Sequence, residues 1–527
     1  MSTIKTPIKA SLKGSIACFL FFLFSTVQAN DTLKYTSTFQ EMLYLKYPAL
    51  QSGNTSTLLQ IPKLNIGMGA LRYIHQQGTL KRSMDGTSKQ LTGLNIYRYH
   101  HFKKATVFGQ FNYNNNSEAS VNYTSINDPY RGTPYFLCDT LTGGQYKRET
   151  FYLKGAIALP LSHFLDLGIS STYHMGLSYQ NYDPRAKNVI SHFSLSPGIT
   201  YHTMNWKLGA HIHYAYYNED IDITIVESNK TATFYSLSGL GYFNEFFNAS
   251  GAYRLYERHN GAVGLQIQHK QHLLEVTGEQ FYEQIKDGRG NQNNKNWHQV
   301  KTPFLLTGRT FVAKETYQQK SKRGSHILTG QVTYKKQTGT EIFQRLENTN
   351  ENTPSANWVT YAKLDKYHQT QIRASLSHTW YKMRSAFIRQ MGFSGKIQYI
   401  CDNEQVMEAE ITEKHYQNLH LYTDAEHSFL LKNGLIVVKA QATYITNLQK
   451  KISKLPVTFF SKEIALPDFR YVTANHFTSG CTITYERKLP HDKTHCFITG
   501  RYLLHLNNKW LSGQKRHETG ISVGISW

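Results

Sequence analysis

Proline is scarce, with 13 residues in 527. Few prolines leave room for long strands, because proline removes a ladder donor. Cysteine is scarcer still: five residues, with no C-x-x-C pair and no Cys/His metal spacing. That excludes a disulfide scaffold and a zinc module. Cys138 and Cys401 fall in expected loops, where a disulfide between them stays open. Cys481 and Cys496 fall in expected strands. Acid is also in deficit, 36 Asp and Glu against 58 Lys and Arg, a formal charge of +22. Long apolar runs are missing too. The one compact run is Ile16 to Phe24, too short for a bilayer, and nothing after Ala29 approaches 18 apolar residues, so no transmembrane helix is expected.

That run has a context. Lys5, Lys9 and Lys13 precede it and Val27-Gln28-Ala29 follows it. This is the layout of a secretory signal peptide over residues 1–29, cleaved near Ala29. Cys18 lies inside the run rather than after the cleavage site, so no lipoprotein anchor is expected. An exported basic chain meets no nucleic acid; anionic lipopolysaccharide and anionic solutes are the expected counterparts.

What the chain has in excess is rings. Aromatics reach 13%, with 36 Tyr and 28 Phe, although mean hydropathy is only -0.48. A polar average with many rings suits a membrane barrel, whose lumen and loops are polar and whose aromatic girdles meet the lipid interfaces. Such strands must alternate, because successive side chains point to opposite faces. Leu165, Leu167, Ile169, Ser171, Tyr173, Met175, Leu177 and Tyr179 share one parity, with Ser171 its one polar member, against Asp166, Gly168, Ser170, Thr172, His174, Gly176 and Ser178. Trp206, Leu208, Ala210, Ile212, Tyr214 and Tyr216 oppose Lys207, Gly209, His211, His213 and Ala215. Similar segments recur near 193–201, 263–268, 274–277, 393–399 and 436–444. Connections alternate between tight (near 101–104, 161–163, 203–206, 270–272 and 431–434) and long (near 124–145, 225–257 and 447–470). Asn433-Gly434 is a type I′ hairpin signal.

The final residues again alternate: Thr519, Ile521, Val523, Ile525 and Trp527 against Gly520, Ser522, Gly524 and Ser526. Here the sequence resembles outer-membrane β-barrels as a class, whose last strand ends on an aromatic after alternating apolar residues. The resemblance implies that Ile521, Val523, Ile525 and Trp527 form the signal read by the barrel-assembly machinery. The aromatic loops and the size also resemble uncharacterised large barrel families of Gram-negative gut anaerobes, a likeness that implies no activity. The expected fold is all-β: one transmembrane antiparallel barrel of about 18 strands, with 14 to 18 allowed. Residues 30–62 are expected as a short periplasmic segment and 63–527 as the barrel, in the outer membrane.

Two long loops are crowded with rings, 124–145 and 234–256. They are expected to fold into the lumen, to grip a partner or to cap one another. Asp287 to Asn296 is expected as an external loop. No catalytic residue, cofactor or metal is expected. Gly520-Ile521-Ser522-Val523-Gly524 matches G-x-S-x-G, but a terminal strand offers no strand-turn-helix elbow. His211 and His213 share a face, yet a metal would need a third ligand from a neighbouring strand. The parity instead nominates lumen-lining residues: Lys154, Asp166, Lys207, His211, His213, Glu275, Glu279, Arg373, Lys396, Asp424, Glu426, Lys439 and Arg501. Charges of both signs inside a pore either set solute preference or pair and close it. The leading expectation is a channel or transporter for small polar solutes. The alternatives are a non-transporting scaffold within a surface complex and a barrel hydrolase. Expected partners are outer-membrane lipid, lipopolysaccharide, the assembly machinery and a surface-complex subunit.

Overall fold

The computed structural model describes residues 38–527 apart from 182, 227–232, 249–250, 290–299, 322–323, 349–355, 386–387, 490–493 and 509–512. The signal peptide and its cleavage site lie outside the described residues. The strands are β1 (Ile66–Gly78), β2 (Ser88–His101), β3 (Thr106–Val121), β4 (Leu137–Cys138), β5 (Gly144–Pro160), β6 (Leu165–Gln180) and β7 (Arg185–His202). Then come β8 (Trp206–Thr224), β9 (Thr233–Gly239), β10 (Tyr242–Asn248), β11 (Gly251–His269), β12 (His272–Arg289), β13 (Lys301–Ser321) and β14 (Gly324–Asn348). The last are β15 (Ala356–Met383), β16 (Arg389–Met407), β17 (Ile411–Leu431), β18 (Gly434–Ser453), β19 (Asn475–Lys488), β20 (His495–Asn508) and β21 (Lys515–Ser526). Among the described residues there are two α-helices, α1 (Phe39–Lys46) and α2 (Leu466–Val472).

Eighteen strands form one antiparallel sheet, and β4, β9 and β10 form a separate small one. The large sheet closes because β1 pairs with β21, from Met68 opposite Ser526 to Gly78 opposite Arg516. Closure removes both edges, so no ladder is left open to lipid. The alternation read from the sequence decides which face is which. Ile169, Tyr173, Met175, Leu208, Ile212, Val263, Leu265, Val276, Ile397 and Val523 are exposed. Exposed apolar side chains all round a closed barrel form a surface for lipid. Trp206 and Tyr216 lie ten residues apart on β8, roughly 34 Å of strand, or about 26 Å after a typical tilt. That matches an apolar band of about 25 Å. This is a closed transmembrane β-barrel. Among the described residues no helix is long and apolar enough to cross a membrane.

The interior differs from a simple pore. Residues 38–62 do not trail away as a periplasmic arm. Helix α1 buries Phe39 and Leu43, one turn apart, with Tyr97, Tyr99 and Phe108 of β2 and β3. Gln318 on β13 donates to Leu45 O at 3.0 Å, and Arg389 on β16 reaches Glu41 at 3.2 Å. Asn54 donates to Ile199 O (2.9 Å), Thr200 Oγ1 (3.0 Å) and Gln266 Oε1 (3.3 Å). Contacts to strands around the whole circumference place the segment inside the barrel, at the short-turn mouth. Its seat is cut by glycine: a Cβ on Gly168 would sit 2.2 Å from Ser56 N, and one on Gly198 would sit 2.4 Å from Asn54 Oδ1. The β7–β8 ladder is also interrupted between Leu195 and Gly198, where Pro197 has no N–H to give. Thr55 takes the Ser196 carbonyl there at 3.3 Å.

Candidate functional site inside the barrel

At the opposite mouth the long loops turn inward. Residues 122–143, the β9–β10 hairpin and residues 454–474 build a cap with an apolar core of its own. Phe136, Leu237, Leu240, Phe460 and Ile464 pack there against inward side chains of the wall, including Ile221, Ile285, Phe304 and Tyr367. Tyr135 stacks on Phe304, with centroids 4.4 Å apart, and Phe460 meets Tyr235 and Phe243 edge-on at 5.0 Å each. Of the alternatives open for these two loops, folding inward and packing on one another are both observed, the two loops being joined by the β4–β9 ladder. Residues 251–256 of the second loop belong to β11.

Buried ion pairs fix the cap to the wall. Arg131 binds Glu283 of β12 at 2.6 Å and lies 3.8 Å from Glu219 of β8, and both carboxylates are fully buried. Arg258 also reaches Glu283, at 2.8 Å. Arg254 of β11 grips Asp287 with two hydrogen bonds, 2.6 and 2.7 Å, and Ser236 of β9 at 3.0 Å. Asp287 was expected in an external loop; it is the buried end of β12, held there by that guanidinium, and residues 290–299 lie outside the described residues. Arg82 pairs with Asp468 of α2 at 3.2 Å while stacking over Tyr130 at 3.4 Å. One contact thus ties loops 79–87, 122–143 and 454–474 together.

Under the cap lies a cavity of about 390 Å³. Its roof includes Tyr130, Arg131, Phe136, Leu240 and Phe460, and its wall includes Lys335, Gln369, Gln371, Arg373, Asp402, Glu404, Lys414 and Tyr416. The acids are satisfied. Asp402 accepts from Gln369 (3.1 Å), Gln371 (2.5 Å) and Tyr416 (3.4 Å), and Glu404 pairs with Lys414. Burial pushes the Tyr130 phenol of the roof well above its ordinary pKa, helped by Asp468. It stays a neutral hydrogen-bonding group, and it accepts from Met84 N at 3.0 Å.

Residues 56–527 match the model of a family described as being of unknown function, DUF6850. The chain belongs to DUF6850. No curated protein matches the sequence. Among solved structures, this DUF6850 barrel is similar to BauA, the ferric preacinetobactin receptor from Acinetobacter baumannii. Identity is 8%, coverage is 88% of this chain and 80% of that one, and the TM-score is 0.39. It is similar to the RagAB peptide transporter at 7% identity, with 88% and 87% covered and a TM-score of 0.37. A FadL homologue of Pseudomonas aeruginosa is 12% identical, with 91% and 93% covered and a TM-score of 0.33.

In this DUF6850 chain the thirteen residues nominated by parity lie on the polar side of the wall, opposite the exposed apolar band. Most are tied up. Asp166 meets His202 at 2.5 Å, Glu275 meets Lys314 at 3.6 Å, and Arg501 meets Glu518 at 3.3 Å. Glu279 accepts from Asn260 at 2.8 Å. Lys439 lies 3.6 Å from both Asp424 and Glu41, and Glu426 pairs with Arg389. His213 bonds Ser196 at 2.6 Å, while His211 packs under Gly53 of the N-terminal segment. Among the described residues no group of three or more His, Cys, Asp and Glu could hold a metal. Lys154 faces the Phe108 ring and Lys396 the Tyr422 ring; Lys207 stands at the short-turn mouth. Only Arg373 lines the cavity under the cap.

Sequence reasoning missed the cavity's other polar residues. Lys335, Asp402, Glu404 and Lys414 share the inward parity of their strands, but those strands had been only partly traced. Cys401 was expected in a loop. It lies in β16 with its neighbours Asp402 and Glu404 buried on the inner face, so it points outward, whereas Cys138 is buried in the cap. The wall separates them, and both are free thiols.

Proposed function

We propose that this chain is a gated transporter passing small polar solutes across the outer membrane. One observation carries the reading: a solute-sized cavity of about 390 Å³ with many polar lining residues, inside the barrel and directly beneath the cap. A static sealed barrel has no use for such a space, whereas a gated path needs one. The segments on either side are not part of the sheet, so they can move without opening the barrel ladder. In planar bilayers the purified chain is expected to show rare conductance steps that become frequent when the cap is loosened. A barrel that stays silent with the cap released would end the reading.

A second reading, a scaffold subunit of a surface complex, is favoured by the closure of both mouths by folded segments. Cross-linking in intact cells would then trap one stoichiometric partner through cap residues. Absence of any such partner would count against it.

A further inference from the structure

We propose that the cavity under the cap binds the oxyanion group of a small phosphate- or carboxylate-bearing solute, with Lys335 and Arg373 as the receiving cations. As a statement about cargo this rests on the transport reading. As a statement about binding it stands on a charge imbalance inside the cavity.

The register brings the two cations together. Thr333 is opposite Arg373 and Lys335 is opposite Gln371. Lys335 and Arg373 are therefore diagonal neighbours on one face of the β14–β15 pair, within reach of one small ligand. Both line the cavity. Lys335 Nζ lies beside Gly132 of the roof, 3.5 Å from where a Cβ would stand. Among the described residues neither cation has a carboxylate within ion-pair distance. The acids nearby are engaged elsewhere: Asp402, one diagonal step from Arg373, is held by Gln369, Gln371 and Tyr416, and Glu404 is held by Lys414. Asp468, the third acid of the lining, is paired with Arg82, and Glu279 of the neighbouring wall accepts from Asn260.

Two like charges side by side in a confined space repel, and an anion between them relieves that repulsion. A guanidinium offers a planar fork that fits a phosphate or carboxylate edge, and an ammonium adds a point charge. Tyr130, Gln369 and Gln371 border the same space and supply polar contacts for the rest of a small solute.

The excess of positive charge continues toward the other mouth. A second cavity, of about 340 Å³, lies between the N-terminal segment and the wall. Lys207, Lys270, Lys320 and His272 line it, and no Asp or Glu belongs to its described lining.

The test uses the full chain in nanodiscs of zwitterionic lipid, titrated calorimetrically with inorganic phosphate and with succinate at low salt. It is run in the wild type and in a cap-loosened R131M background. The expected result is saturable binding of at least one anion. It should weaken at least tenfold in K335Q and in R373Q, and be unchanged in K336Q, whose lysine is exposed on the outer face. R373K should retain part of the affinity, which separates a charge effect from misfolding. Absence of binding in both backgrounds, or binding indifferent to K335Q and R373Q, would overturn the proposal. Reversal potentials under a salt gradient separate the two claims. A conducting but cation-selective barrel that binds neither phosphate nor succinate sinks the anion site and leaves transport standing. Specific anion binding by a silent barrel does the reverse.

Discussion

Arg131 is the point at which the cap can be tested against the wall. Its guanidinium lies between Glu283 and Glu219, both fully buried, and its loop, residues 122–143, carries the centre of the cap. Replacing Arg131 with Met keeps much of the stem's packing and deletes the charge. Removing one partner of a buried pair costs about 3–5 kcal/mol, because the charge left behind stays desolvated. Here the loss falls at the lower end. Glu283 keeps Arg258 at 2.8 Å, and Glu219 still accepts from Asn127 N (2.9 Å), Asn188 (3.1 Å) and Tyr217 (2.7 Å). A loss of about 3 kcal/mol raises the released population of the cap roughly 100-fold. Proteolysis of a transiently opened segment tracks that population when reclosing is fast. Cleavage within residues 122–143 is therefore expected to accelerate by about two orders of magnitude, while the barrel keeps its heat-shifted mobility in electrophoresis. E283Q alone should also loosen the cap, and the double variant R131M/E283Q should cost less than the sum of the two, since both delete the same pair. Cleavage within threefold of wild type in R131M, or strictly additive loosening in the double variant, would refute the argument that this ion pair holds the cap.

Three further outcomes follow from the same contacts. G168L drives a side chain into the Thr55–Ser56 backbone, so it should expel the N-terminal segment and raise single-channel conductance without unfolding the barrel; unchanged conductance would show that the segment does not limit the path. Burial raises the Asp139 carboxyl to about 6, although bonds from Leu141 N and Ser125 pull the other way. An acid whose folded pKa is raised binds its proton more tightly when folded, so its contribution is full below about pH 4 and is lost as pH rises through 6, on the order of 3 kcal/mol. Cap proteolysis should therefore quicken across that window and become flat in D139N, and an identical slope in D139N would assign the effect elsewhere. Trp527 exchanges backbone bonds with Gly67 at 2.8 and 3.0 Å, and its ring occupies the space a Gly67 side chain would need. W527A is expected to lower the folded membrane fraction several-fold, and a normal yield would show the closing residue to be dispensable.

The barrel was legible because its signal is local. A period of two needs only neighbours in sequence, and the parity read from Leu165 to Tyr179 is the parity of β6, with Ile169, Tyr173 and Met175 on the exposed face. The strand count followed from the length left for strands and their connections, and from the even number that returns both ends to one side. The closures were not legible, because their contacts join distant residues: Arg131 and Glu283 are 152 positions apart, and Asn54 and Gln266 are 212 apart. The seat of the N-terminal segment did leave a trace. Gly168 faces Gly198 across β6–β7, and Gly209 pairs with Thr200 on the next ladder. Inward glycines at one level on three adjacent strands mark a niche, but only register shows that they are adjacent.

The cap left a stronger trace, in a reversal of parity. Along β8 the outward set is Leu208, Ile212 and Tyr214, and the inward set is polar at His211 and His213. Beyond Tyr216 the roles exchange. The outward parity becomes Asn218, Asp220 and Asp222, while the inward parity gains Ile221 and Ile223, both buried in the cap's apolar core. β12 does the same: Leu274 and Val276 point outward near the short turn, then Phe281 and Ile285 turn apolar on the inward side. A strand that merely left the lipid would become polar on both faces. One whose apolar side changes from outside to inside has left the lipid and met a folded object within the barrel. Carried to the remaining long strands, that criterion locates both the outer boundary of the membrane and the height of the cap from sequence alone.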